Sequence, residues 1–281
     1  MIRFYRSQYP QENYVIESLY EGCPHEKEIT HLGDYRPSDV AVVMGVYKKF
    51  VPASYARGEV IAQQRRHAMD TLILETGYIN RGDGANNHYA LGWNGLNGRA
   101  NFKNRGSSDK RAKKLGVEMK PWKDGDYVLL CGQVPWDASV DFTDHRAWLE
   151  EAAHNIRALT GREIVFRPHP KGDLPPIDGC RYSKGPIEQD LLNAHCVVTF
   201  NSNTGVDAVL AGVPVFAFDK GSMVYQVANK NWLKIERPEK PDRSQWLNDI
   251  CYAQWTPEEM MSGEAWKHHY GLQPLMYENC R

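Results

Sequence analysis

The chain has 281 residues, 42% apolar, 25% charged and 11% aromatic, with a formal net charge of −1 at pH 7. That composition excludes a disordered, collagen-like or disulfide-dense chain. No apolar run reaches the roughly 20 residues of a membrane-spanning helix, and Met1-Ile2-Arg3-Phe4-Tyr5-Arg6 has no apolar signal-peptide core. Six cysteines without a CxxC pair predict a reduced, cytoplasmic protein with no disulfide framework and no metal site.

In chain order, residues 2–5 and 40–44 read as short apolar strands, residues 57–69 as a helix and residues 71–74 as a third strand ending at Glu75-Thr76-Gly77. A Gly/Asn-rich stretch follows from Asn80 to Gly106, with Tyr89, Trp93 and Phe102 embedded; it reads as a long functional loop. Residues 121–126, Pro-Trp-Lys-Asp-Gly-Asp, are the best linker. Strand and helix then alternate: strand 127–131, amphipathic helix 143–159, strand 164–166, helix 186–193, strand 197–200, helix 203–210 and strand 215–218. Such alternation predicts an α/β protein with parallel doubly wound sheets. The expected division is 1–120 for the first domain, 121–255 for the second and 256–281 for a terminal helix and tail.

The small net charge hides an asymmetry. Residues 1–120 hold 18 Lys and Arg against 13 Asp and Glu; the remainder holds 16 against 22. The surplus is densest where Arg99, Lys103, Arg105, Lys110, Arg111, Lys113, Lys114, Lys120 and Lys123 meet only Asp109 and Glu118. A segment so basic is either a solvated loop or a surface for a polyanion.

Two strand ends carry the most chemistry. Val165-Phe166 runs into Arg167-Pro168-His169-Pro170-Lys171, and Val197-Val198-Thr199-Phe200 into Asn201-Ser202-Asn203-Thr204-Gly205-Val206-Asp207-Ala208. Ligands of open α/β sheets sit beyond the carboxyl ends of the strands. One tip offers Arg167, His169 and Lys171; the other offers hydroxyls, amides and a glycine at a helix start, a combination suited to a phosphate-bearing ligand. Gly45, Lys48 and Lys49 follow the second strand, where contact with ligand phosphate and simple solvation weigh equally. His67, His88 and His268-His269 lack metal-ligand spacing and read as structural or solvated.

With those residues in view, the second half resembles the capsule-polysaccharide glycosyltransferases, especially the bacterial Kdo transferases of capsule export. The likeness rests on Gly132-Gln133-Val134 with Asp137-Ala138-Ser139, on Arg167-Pro168-His169-Pro170, on the run from Asn201 to Val215 and, in the first half, on residues 74–81, Leu-Glu-Thr-Gly-Tyr-Ile-Asn-Arg. Thr76 stands where that family has an aspartate, and Asp207 where it has a glutamate. The resemblance implies the GT-B architecture, two Rossmann-like domains facing across a cleft, and a nucleotide sugar as co-substrate with no further cofactor. It implies donor binding by Gln133, Ser139, Arg167, His169, Lys171, Asn201, Ser202, Asn203, Thr204 and Gly205, with Asp207 on the ribose. Glu75 and His169 are the catalytic candidates, Glu75 as general base or nucleophile. Gly77, Tyr78, Arg81, Trp93, Arg99, Lys103 and Arg105 are expected on the acceptor side. The basic first half, with aromatics and amides (Tyr89, Trp93, Asn86, Asn87, Asn94, Asn97), favours a hydroxymethylated base in DNA, as bacteriophage enzymes of this kind use, over a surface polysaccharide as acceptor. Thr76 keeps open a nucleotide-sugar-binding protein without catalysis; an epimerase would leave the basic segment unexplained.

Overall fold

The computed structural model describes residues 1–48, 51–81, 87–140, 144–172 and 174–270. Lys49 and Asn86, singled out above, lie outside the described residues. The first sheet contains β1 (Ile2–Arg6), β2 (Lys27–His31), β3 (Val40–Met44), β4 (Asp70–Thr76), β5 (Tyr89–Trp93) and β11 (Gln254–Trp255), in the order β11-β5-β4-β3-β1-β2. β1 to β4 pair in parallel; β5 runs antiparallel to β4, and β11 antiparallel to β5. The second sheet contains β6 (Tyr127–Cys131), β7 (Ile164–Arg167), β8 (Arg181–Tyr182), β9 (Ala194–Thr199) and β10 (Val215–Ala217), all parallel, in the order β10-β9-β6-β7-β8. These are two Rossmann-like units.

The central strands form because they are near-continuous apolar runs with both faces covered. Every residue of Val128–Cys131 and Ala194–Thr199 is buried. The helix α4 (His145–Leu159) starts where the Asp144 carboxylate accepts the Ala147 N–H at 3.0 Å, and it turns Leu149, Ala152, Ala153 and Ile156 to the sheet at helical spacing. The two units share apolar packing: Tyr78, Ile79 and Phe102 from the first lie in one cluster with Leu129, Val197, Val206 and Trp246 of the second. The carboxyl ends of the parallel strands in the two sheets meet. Lys48, beyond β3, lies 3.9 Å from Asp137, beyond β6.

The chain path differs from the sequence expectation in two places. The Gly/Asn-rich stretch contains β5, an internal strand of the first sheet. Its Gly92 packs so closely that a Cβ would come 2.6 Å from the Ala100 methyl, so this glycine, which reads as loop, serves close packing in a strand. Second, residues from Gln254 on return to the first sheet. β11 adds its edge strand, and α8 (Pro257–Met261) packs on α1 (Pro10–Glu21). In α9 (Glu264–Tyr270), buried Trp266 donates to the Leu19 carbonyl at 2.8 Å. The stretch expected to be a terminal helix and tail is helical and completes the first core, up to Tyr270.

Arg111 fastens that return. It sits in α3 (Lys110–Leu115), is 4% exposed, and makes a fork to Glu259 in α8, at 2.9 and 2.6 Å. Its remaining N–H groups reach the carbonyls of Cys251 (2.6 Å) and Gln254 (2.8 Å), and its guanidinium lies 3.9 Å from the Trp255 ring centre. Burial pushes the Glu259 carboxyl up, but Arg111, the Thr256 N–H and Lys114 more than offset it and hold it at about 2. Removing one partner of a buried pair strands the other charge. Arg111→Met should therefore cost about 3–5 kcal/mol in denaturant unfolding. A second change, Glu259→Leu, should recover much of that; a loss under about 1 kcal/mol in the single variant would make the pair peripheral.

A histidine gives an acid-side prediction. His145 is buried, its Nε2 accepts the Gln133 N–H at 2.9 Å, and burial holds its pKa at about 4, below the ordinary 6.5. The unfolded chain thus takes up this proton first as pH falls. The stability contribution is complete above pH 6.5 and declines between there and about 4, with a slope up to about 1.4 kcal/mol per pH unit. In His145→Gln, which keeps an acceptor, melting followed from pH 7 to 4 should show one proton less of acid sensitivity; an unchanged slope contradicts the assignment.

Candidate functional site

The site grows from the tips of β6 and β9. Past β6 the Gln133 side chain enters a pairwise amide exchange with Asn201: Gln133 Nε2 donates to Asn201 Oδ1 at 2.6 Å, and the Asn201 backbone N–H donates to Gln133 Oε1 at 3.0 Å. Asn201 Nδ2 donates in turn to the Ser139 carbonyl (3.0 Å) and to Asp219 Oδ1 (2.8 Å). The Ser139 hydroxyl donates to Asp137 at 2.9 Å. The floor is a polar network whose members satisfy one another, which fixes the loops after β6, β9 and β10 in one arrangement.

Above that floor lies a cavity of about 220 Å³ lined by Arg81, Asn97, Gln133, Val134, Asp137, Ser139, His169 and residues 201–204. The histidine beyond β7 and the threonine that opens α6 (Thr204–Leu210) thus share one cavity. The loop holding Thr204 is organised locally. Ser202 N–H donates to the Thr199 hydroxyl (3.0 Å), and the Ser202 hydroxyl donates to that of Thr204 (3.1 Å). His169 Nδ1 accepts the Lys171 backbone N–H at 3.1 Å, which leaves the ring proton on Nε2. Burial first, then Lys171, lowers its pKa, so near neutrality it is an uncharged N–H donor.

Other expected donor residues have different partners. Arg167 is not a free cation: it is bound to Asp190 at 2.7 Å and to the Gly185 carbonyl at 2.5 Å, tying β7 to α5 (Ile187–Leu192). Lys171 is exposed and its side chain does not line the cavity. Gly205 is buried where a Cβ would come 2.9 Å from a Val224 methyl, so it serves helix packing. Asp207 receives both donations from one Arg81 nitrogen, at 2.5 and 2.7 Å. Burial raises the Asp207 carboxyl and Arg81 opposes that rise. Arg81, expected with the acceptor, therefore meets both the cavity and the residue expected to hold ribose.

The acceptor-side expectations fare differently. Tyr78 is buried, its N–H donating to Gln254 at 2.6 Å, and Gly77 is buried beside it. Trp93 is 5% exposed and donates to His269 at 3.1 Å, which removes it as a wedge or stacking surface for a flipped base. Arg99 binds Asp219 at 2.5 Å, and Lys103 lies 5.0 Å from the Trp93 ring centre. Arg105 lines a separate cavity. Part of the basic segment is engaged within the chain: Arg111 is buried on Glu259, Lys123 reaches the carbonyls of Leu191 and Leu192, and on the surface Lys114 pairs with Glu259 and Glu264 and Lys113 with Asp109. The buried Trp93 and Arg111 lend no support to a DNA acceptor.

Glu75 sits half-buried at the end of β4 and does not line the cavity; its Oε1 accepts the Thr76 N–H at 3.0 Å. It shares the tip of the first sheet with Gly45, where a Cβ would come 3.0 Å from Arg57 and 3.9 Å from Glu75 Oε2. Sequence reasoning missed Asp219 and His145; it had Asn97 only among the acceptor-side amides and Asp137 only as part of the family-like segment. Asp219 follows β10 almost directly, so the strand-end rule applied once more would have found it.

No protein-family model matches the chain, and no curated protein matches it. Solved structures do. The KpsC β-Kdo 2,4 transferase of Thermosulfurimonas dismutans superposes with a TM-score of 0.60 at 13% identity, over 90% of this chain and 89% of that one. The KpsC β-Kdo 2,7 transferase of the same organism gives 0.57 at 14%, over 94% of this chain and 98% of that one. At such identities the likeness is one of fold: the chain has a GT-B-like architecture of two Rossmann-like domains.

Proposed function

We propose that this protein is a glycosyltransferase that moves a sugar from a nucleotide-activated donor to a hydroxyl of a capsule-type or other surface polysaccharide. The observation that carries the reading is the cavity in which His169, Ser202, Thr204 and Arg81 converge above the Gln133–Asn201 floor. Fold likeness to two Kdo transferases over nine-tenths of the chain supports it.

Glycosyl transfer develops negative charge on the leaving nucleotide phosphate, and fixed donors aimed at that charge lower the barrier. Here the donors are His169 Nε2–H, the hydroxyls of Ser202 and Thr204, and the Arg81 guanidinium. None requires a metal. Asp207 holds Arg81 in place until a ribose hydroxyl competes for it. Glu75, at the facing strand tip, takes the proton of the attacking hydroxyl; Thr76, beside it, has no comparable basicity.

A donor that binds the folded state raises its melting temperature. Across cytidine, uridine and guanosine nucleotides, one base should give a saturable rise, and His169→Ala and Arg81→Ala should each weaken that binding about tenfold. The Arg81 variant should lose no more than about 1 kcal/mol of stability, because the pair is partly exposed. If no nucleotide raises the melting temperature, the reading fails. Glu75→Gln should keep nucleotide binding and lose transfer; turnover within about threefold of the parent protein would remove Glu75 as the base.

A further inference from the structure

The Arg81–Asp207 pair joins the two units where two cavities meet different members of it. Arg81, past β4, lines the cavity of His169 and Thr204. Asp207, in the first turn of α6, lines another of about 340 Å³ with Lys120, Lys123, Ile187, Glu188 and Leu191. The pairing is lopsided. Both Asp207 oxygens accept from one nitrogen, Arg81 Nη2, and among the described residues Nε and Nη1 donate to nothing. A guanidinium at its best gives a carboxylate two parallel bonds from two nitrogens. Arg111 does so with Glu259 and commits its other N–H groups to two carbonyls. Arg81 is held less completely and keeps donors in reserve.

The partners are also unequally placed: the Asp207 side chain is 22% exposed and that of Arg81 39%. If Arg81 leaves alone, the more buried carboxylate loses its cation, which is unfavourable. If a ribose arrives alone, its neutral hydroxyls compete with a full positive charge already seated on both oxygens. When both happen together neither penalty remains, because phosphate takes the guanidinium and the ribose hydroxyls take the carboxylate. Such an exchange of partners couples the two halves of one ligand, and the coupling is reciprocal.

We propose that the Arg81–Asp207 pair is a bolt across the donor site that a phosphorylated nucleoside draws and a free nucleoside does not, so that the protein selects nucleotides against the nucleosides that share their base and ribose. Placing the ribose at Asp207 rests on the glycosyltransferase reading; the competition between Asp207 and an anion for Arg81 does not.

The test is calorimetric titration of the full chain with cytidine, uridine and guanosine, with their 5′-diphosphates, and with inorganic pyrophosphate. For the base that binds, saturating pyrophosphate should tighten the nucleoside by about fivefold or more in the parent protein and leave it unchanged in Arg81→Ala. Arg81→Ala should bind the nucleoside about fivefold tighter than the parent while binding the diphosphate more weakly, and Asp207→Asn, which releases Arg81, should bind pyrophosphate about fivefold tighter. A pair that only holds the units together would move every ligand in the same direction in both variants. Nucleoside affinity unchanged or lowered in Arg81→Ala, or pyrophosphate affinity unchanged or lowered in Asp207→Asn, overturns the proposal. The variants alter opposite ends of the pair, so if one does not fold the other decides. Nucleotide binding without these opposed changes sinks only the bolt; if no nucleotide binds, the transferase reading fails and the pyrophosphate comparison alone judges the bolt.

Discussion

The amide exchange between Gln133 and Asn201 is the interaction on which the cleft depends. The Gln133 amide gives its N–H to the Asn201 side-chain oxygen and accepts the Asn201 backbone N–H, so neither loop can shift without leaving buried polar groups unpaired. His145 holds the backbone at Gln133 from below, Asp219 holds Asn201 from the side, and Arg99 reaches Asp219 from the other unit. A pocket for a charged ligand benefits from such a rigid polar base, because its donors then need no rearrangement when charge arrives.

The two halves of the cleft are built on different terms. The second-sheet side is made of strand tips in a conventional parallel order, with its polar groups aimed into one cavity. The first-sheet side contributes Arg81 to that cavity, and its carboxylate, Glu75, remains at the neighbouring tip beside Gly45 and Arg57. In the proposed reaction a sugar would span the two tips, with the polar wall facing its phosphate and Glu75 facing the attacking hydroxyl.

The second sheet was largely legible in the sequence because its central strands are short apolar runs ending in polar punctuation: 127–131 is the same segment in both, and 164–166 and 197–200 differ from the strands by a few residues at their ends. The convergence of His169 with Thr204 followed from the strand-end rule. Partners did not follow. Nothing local in Arg167-Pro168-His169-Pro170 says that the arginine turns back to Asp190 while the histidine turns outward, since Asp190 lies on a separate helix. β5 was hidden because its sequence, Tyr-Ala-Leu-Gly-Trp, has a glycine and sits among turn formers. The fate of the basic segment was hidden for a similar reason: Arg111 and Lys114 look like surface charges until Glu259, almost 150 residues away, comes to meet them.

That long return has a consequence for how the chain acquires its structure. The second sheet is closed by residues 127–217 alone, whereas the first gains its edge strand at Gln254–Trp255 and its cover over α1 from residues 257–270. During synthesis the later-made sheet has all its strands before the earlier one has its edge and cover. The amino-terminal half must wait, with Leu19 and the Phe4 side of its sheet uncovered, for the last helices to emerge.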